Sequence, residues 1–274
     1  MIIELFGPPG AGKTTLARVL ADRLRERGHT VDLILSQRPA ERSQRGVRPA
    51  SHIQQFSPMI RRLSRPFVEM LTMARHPFAL SHDVGTALNL IRILPPSNTL
   101  WSLRLAQYLS RLSRAWFQAS NTGHIVLFDQ AFVQAVCSLT LLCEATDEQL
   151  ISHALDTIPK SDLLVRLNAP SDVLESRLRD RQGRESRIER LLELDLATSL
   201  RSLAIVDGLH ELLRKADRRI MNAASLDQHT LDAAVDRIER DITAQFGVEH
   251  RETSQRDQAP SIRIDQPLER RTAS

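Results

Sequence analysis

The chain begins Met1-Ile2-Ile3-Glu4-Leu5-Phe6 and runs directly into Gly7-Pro8-Pro9-Gly10-Ala11-Gly12-Lys13-Thr14-Thr15. A short apolar strand that breaks into Gly-x-x-x-x-Gly-Lys-Thr and then a helix is a phosphate-binding loop. Glycines let the backbone wrap closely around phosphate, its amides turn inward, and the next helix presents its positive end. The motif therefore makes Gly7, Pro8, Pro9, Gly10, Ala11, Gly12, Lys13, Thr14 and Thr15 the candidate phosphate site. Lys13 is placed to reach the β- and γ-phosphates, and Thr14 to offer its hydroxyl to Mg²⁺.

The flanking pattern supplies the setting such a loop needs. Leu16, Leu20 and Leu24 form a stripe at helical spacing, Gly28 ends that helix, and residues 30–35 read as a second strand. Residues 36–50 break the pattern and carry Arg38, Arg42, Arg45 and Arg48, either a solvated linker or a phosphate or substrate clamp. From 51 to 120 the chain reads as helical, punctuated by Pro58, Pro66, Pro77 and Pro95-Pro96. Trp101, Leu105, Leu109 and Leu112 form a core stripe within it.

His124 to Asp129 is a near-continuous apolar strand ending in a carboxylate, as expected of a central parallel strand. Helices follow at 130–143 and 147–157, a fourth strand at 162–167, and a helix from Ser171, whose hydroxyl is a candidate cap. A long helix at 187–214, a fifth strand at 219–222 and a helix at 227–243 complete the pattern. The expected fold is α/β: the three-layer P-loop NTPase fold, a five-stranded parallel sheet in order 2-3-1-4-5. The helical insertion at 36–120 lies between strands 2 and 3. Residues 1–243 are expected to form that domain. Residues 244–274, polar and without a clear period, are expected to form a flexible tail, with short ordered pieces such as 261–264.

The 274 residues suit one large or two modest domains, and a hydrophobic fraction of 42% can build a core. Aromatics reach only 4%, so that core should be aliphatic and stacking on nucleic-acid bases is disfavoured. A formal net charge of +4, carried mostly by arginine, fits phosphorylated ligands. Cys137 and Cys143 lack metal-ligand spacing and read as buried thiols. With neither a signal peptide nor a bilayer-length apolar run, the expected location is cytoplasmic.

Asp129 is the next candidate. A carboxylate at the end of a central strand faces the ligand crevice of such sheets. It can hold Mg²⁺ through water, orient or deprotonate an acceptor hydroxyl, or cap the next helix. The run Arg177-Leu178-Arg179-Asp180-Arg181-Gln182-Gly183-Arg184-Glu185-Ser186-Arg187 is the third element. Arg177, Arg181 and Arg184 share a face if the helix persists through Gly183, and their charge would steady a transferring phosphoryl group. The alternative is a solvated charged face. Arg75, His82 and Asp83 in the insertion are candidates for touching an acceptor.

These patches resemble the thymidylate kinase group of P-loop kinases, nucleoside monophosphate kinase-like enzymes. The likeness lies in residues 7–15, in the strand ending at Asp129, in Asn168-Ala169-Pro170 through Arg184 with Ser186-Arg187-Ile188-Glu189, and in Arg219-Ile220-Met221-Asn222-Ala223 with Ala224-Ser225-Leu226. The resemblance implies ATP and Mg²⁺ as cofactors and a lid at 177–187. It implies catalytic roles for Lys13, Asp129 and Arg181, nucleotide contacts from Arg177, Arg181 and Arg184, and metal contacts from Thr14 and Asp129. Gln130 stands where the family has arginine after the acid, and Gln37-Arg38-Pro39 stands where it has Arg-Glu-Pro. The acceptor is therefore expected to be a small molecule or nucleotide other than thymidine monophosphate, with Arg38 and Asp83 as candidate contacts. The expected activity is ATP-dependent, Mg²⁺-assisted phosphoryl transfer. The alternative is a regulatory or assembly NTPase that switches a protein partner. A homodimer is compatible with either, and a nucleic-acid partner is disfavoured.

Overall fold

The computed structural model describes residues 1–36, 80–96, 99–184 and 196–257, with backbone alone at 80–84, 99–104, 181–184, 196–200 and 246–257. The chain divides into two units, Met1–Val235 and Asp236–Ser274. The sheet and the candidate site belong to the first.

Five strands alternate with helices: β1 (Ile2–Phe6), β2 (Val31–Ile34), β3 (Ile125–Phe128), β4 (Leu163–Asn168) and β5 (Ile220–Ala224). All pair in parallel, in the order β2-β3-β1-β4-β5. This is the α/β architecture and strand order expected from the sequence. Among the described residues, the helices are α1 (Lys13–Glu26), α2 (Leu80–Ile93), α3 (Thr99–Ser120), α4 (Phe132–Leu142), α5 (Glu148–Thr157), α6 (Ser171–Arg184), α7 (Leu196–Lys215) and α8 (Gln228–Asp257). Helices α2 and α3 fall between β2 and β3, where the insertion was expected.

The inner strands β1 and β3 are buried on both faces because helices cover both. Ile2, Phe6, Val126, Phe128 and Leu164 share one core with Leu109 and Trp116 of α3, Phe132 and Val136 of α4, and Leu209 and Leu213 of α7. Trp116 stacks on Phe128 and meets Phe132 edge-on, both at 5.3 Å between ring centroids. Strand alternation sends Ile3, Leu5 and Leu127 to the opposite face. There α1 packs against β1 and β3 with Leu16, Leu20 and Leu24 buried. Helix α1 stops in a Schellman turn: Gly28 adopts φ +87°, its amide donates to Arg25 and that of His29 to Leu24.

Several boundaries differ from expectation. Helix α6 runs through Gly183 to Arg184 without a break, so its backbone puts positions 177, 181 and 184 on one face. Helix α8 continues to Asp257, well past the expected start of the tail at 244. No proline interrupts that stretch before Pro260. Leu105, Leu109 and Leu112 are buried as the stripe predicts. Cys137 is buried, but Cys143, at the end of α4, is only partly so. The loop at 37–50 with its arginines, the segment 51–79 with Arg75, the lid residues 185–187 and the piece at 261–264 lie outside the described residues. Among the described residues, no helix is long and apolar enough to cross a membrane.

Candidate active site

Strand β1 delivers the chain to Gly7 at the carboxyl edge of the sheet. A Cβ there would come within 2.4 Å of the Leu167 carbonyl oxygen of β4, so only glycine fits. At the far end of the loop Gly12 has φ +92°, and a Cβ would meet the Ser225 hydroxyl at 2.8 Å. The loop is thus wedged between β4 and the segment after β5. Gly12 begins α1 without a side-chain cap, and the helix has no acidic residue in its first turn. That leaves its positive end suited to an anion.

Lys13 opens α1 and is only 7% exposed. Its ammonium bends back over the loop and donates to the carbonyls of Gly7 at 2.6 Å and Pro8 at 3.0 Å. Thr14, next along, donates its hydroxyl to Asp129 Oδ2 at 2.8 Å. Asp129 follows the last residue of β3 and is 1% exposed. Its other oxygen, Oδ1, accepts from the Ser36 amide at 2.7 Å and the Ser36 hydroxyl at 2.6 Å. Its own amide donates to the Ile34 carbonyl, which ties the ends of β2 and β3 together. Lys13, Thr14 and Asp129 therefore meet at one edge of the sheet. Ser36 was missed in the sequence, where it reads only as the end of a strand. The available signal was its type and place: a hydroxyl just beyond the strand that borders the one ending in Asp129.

This donor set fits a hard cation. Thr14, Asp129 and Ser36 offer only oxygen atoms, the ligands Mg²⁺ prefers. Among the described residues no group of three or more His, Cys, Asp or Glu could hold a metal on its own. One carboxylate with neighbouring hydroxyls suits an ion that arrives on a phosphate.

A second polar layer lies behind the loop. Gln134 of α4 accepts from the Gly7 amide at 3.1 Å. Glu4 of β1, fully buried, accepts from the Val133 amide at 2.6 Å. Burial pushes the Glu4 carboxyl up to about 8, against smaller opposing pulls from the Val133 amide and Arg218. Burial, with the nearby charges of Glu4 and Asp129, also raises the Tyr108 phenol of α3. Burial raises the Cys137 thiol to about 12 despite Lys13, which keeps it a thiol at neutral pH.

The arginines are distributed differently. Arg177 of α6 donates to three backbone carbonyls: Gly10 at 3.1 Å, and Ser225 and Leu226 at 2.8 Å each. Its guanidinium joins the phosphate loop to the segment after β5. Arg179 turns to Glu175 on the exposed side of the same helix at 2.6 Å. For Arg181, Arg184 and Asp83 the helical backbone is described but the side chains are not, and Arg38 lies outside the described residues.

The strand order and the loop wedged at the edge of β1 define the class: an α/β protein of the P-loop NTPase fold. No family profile matches the sequence. No curated protein matches it either. Among solved structures it is similar to deoxyadenosine kinase from M. mycoides in three forms. The form with the products dCMP and a flexible dCDP gives a TM-score of 0.49, that with dATP 0.47 and that with dCTP 0.44. In each case identity is 14%, and the match covers 89% of this chain and 100% of the other. At that distance the likeness assigns neither substrate nor activity.

Proposed function

We propose that the chain is a P-loop kinase that transfers the terminal phosphoryl group of ATP to a small-molecule or nucleotide-like acceptor other than thymidine monophosphate. The observation that carries this reading is the meeting of Lys13, Thr14 and Asp129 at the carboxyl edge of β1 and β3, with Asp129 held from both sides. Loop amides and the start of α1 bind the donor phosphates, and Lys13 leaves its two carbonyls for their oxygens. Thr14 and Asp129 would hold Mg²⁺, which would supply positive charge to offset the negative charge of the donor phosphates. Asp129 is also assigned to orient the attacking hydroxyl of the acceptor. Arg181 and Arg184 are assigned to the γ-phosphate from α6, with Arg177 securing the loop beneath them. The acceptor is assigned to the 36–120 region, with Arg38 and Asp83 as its first candidate contacts. The catalytic domain is taken as residues 1–243.

Excluding water matters here, because water is itself an acceptor. The test is ADP release from Mg²⁺-ATP across a panel of nucleosides, nucleotides, sugars and small metabolites, with Lys13→Ala as the blank. At least one acceptor class is expected to stimulate release and to appear phosphorylated by mass spectrometry. Slow hydrolysis that no small molecule stimulates, but a protein partner does, favours the switching NTPase instead.

A further inference from the structure

The helix after β3 does more than return the chain. We infer that Gln134, itself set in place by Glu4, is a positioning residue that fixes the first glycine of the phosphate loop for triphosphate binding. This rests on the kinase reading for its ligand. The bonds form a closed ring. Glu4 and Gly7 are three residues apart at the end of β1, and Val133 and Gln134 are adjacent in the first turn of α4. The Glu4 carboxyl receives the Val133 amide, and the Gln134 carbonyl receives the Gly7 amide. Two hydrogen bonds thus bolt the loop's start to a helix that enters the sequence 127 residues later.

Three features favour a functional brace over simple packing. First, Ala131 caps α4 with no side-chain bond, so Glu4 reaches across from β1 to satisfy the Val133 amide. A carboxyl is costly to bury, and the second oxygen of Glu4 has no hydrogen-bond partner among the described residues to offset that cost. Second, Gln134 is likewise buried and spends its oxygen on the Gly7 amide. Third, Gly7 is held at both of its polar groups: its amide by Gln134 and its carbonyl by Lys13. A triphosphate draws the Lys13 ammonium to its own oxygens. The Gln134 bond, with the close Leu167 carbonyl, then remains to hold Gly7 in place. A loop fixed beforehand does not have to be ordered when the ligand binds.

The test compares Mg²⁺-ATP with adenosine by calorimetry, because adenosine lacks the phosphates the loop holds. Gln134→Leu removes the acceptor at similar volume. It is expected to weaken Mg²⁺-ATP binding about tenfold, the size of one buried hydrogen bond, and to leave adenosine within about twofold. Gln134→Glu, assayed near pH 6 where burial keeps the new acid protonated, retains an acceptor oxygen and is expected to recover most of that loss. Equal ATP affinity in Gln134→Leu and the unaltered chain, with only the melting temperature lowered, overturns the inference. So does an equal loss for adenosine. Hydrogen exchange on the unaltered chain is a second measurement that needs no variant. The Gly7 amide should stay protected with and without Mg²⁺-ATP, and rapid exchange in the ATP-bound chain contradicts the brace. Failure of the unaltered chain to bind ATP at all counts against the kinase reading. ATP binding indifferent to Gln134 counts against this inference alone.

Discussion

On the β1–β3 side of the site, polar groups meet one another through short, directed bonds between distant parts of the chain. Thr14 and Ser36 share Asp129, Lys13 and Gln134 share Gly7, and Glu4 secures Val133. On the α6 side, neighbouring arginines do unlike things. Arg177 binds three backbone carbonyls, while Arg179, two residues on, pairs with a glutamate in solvent. A loop defined by backbone geometry can be read from residue types in order. A run of arginines on a helix cannot, because successive positions turn by about 100° and face different surroundings.

The largest expected effect tests the loop side. Lys13→Ala removes the cation that steadies the transferring phosphoryl group. It should cut acceptor-dependent turnover by roughly a hundredfold or more with little change in melting temperature. A variant with near-normal turnover would break the assignment of the loop as the donor site.

Gly7→Ala comes next and reads out in stability. Its Cβ would collide with backbone at Leu167, which cannot move without moving β4, so a loss of about 3 kcal/mol or more is expected in urea unfolding. Gly10→Ala is the control. Its Cβ would find ordinary contacts at 3.6 Å, leaving a cost of about 1 kcal/mol for its φ of +83°.

Glu4 predicts a pH dependence. Its carboxyl is raised in the folded chain from the usual 4.5 to about 8. Between those values the folded state keeps a proton that the unfolded state has released. This group therefore lowers stability as pH rises through that window, by up to about 1.4 kcal/mol per pH unit, and adds no slope above it. Glu4→Gln should flatten that part of the stability–pH curve and gain most near pH 8. An unchanged slope would place an ionised Glu4 in the folded chain.

Much of the fold and part of the site were legible in the sequence. The strand–loop–helix unit, the apolar strand ending at Asp129 and the alternation of strands and helices pointed to the P-loop fold, and with it to the sheet order, because each is a local pattern. The Thr14–Asp129 meeting followed from strand ends sharing one edge. Ser36, Glu4 and Gln134 were not legible as site residues. Their partners lie 93, 129 and 127 residues away in sequence, and no local period marks them. Helix α8 ran past its expected end because polar composition alone does not stop a helix, whereas proline does.

The smallest effect sharpens the arginine side. Arg177→Ala takes a half-buried guanidinium from three carbonyls and should cost about 1–3 kcal/mol. Arg179→Ala, at an exposed pair, should stay within about 0.5 kcal/mol. Equal values in thermal unfolding would erase the distinction drawn between them.

The central claim is transfer rather than hydrolysis, and the ratio of free inorganic phosphate to ADP tests it most directly. With Mg²⁺-ATP and the acceptor panel, the unaltered chain should release ADP well in excess of free phosphate, the difference appearing on an acceptor. Free phosphate matching every ADP, whatever small molecule is supplied, would contradict it.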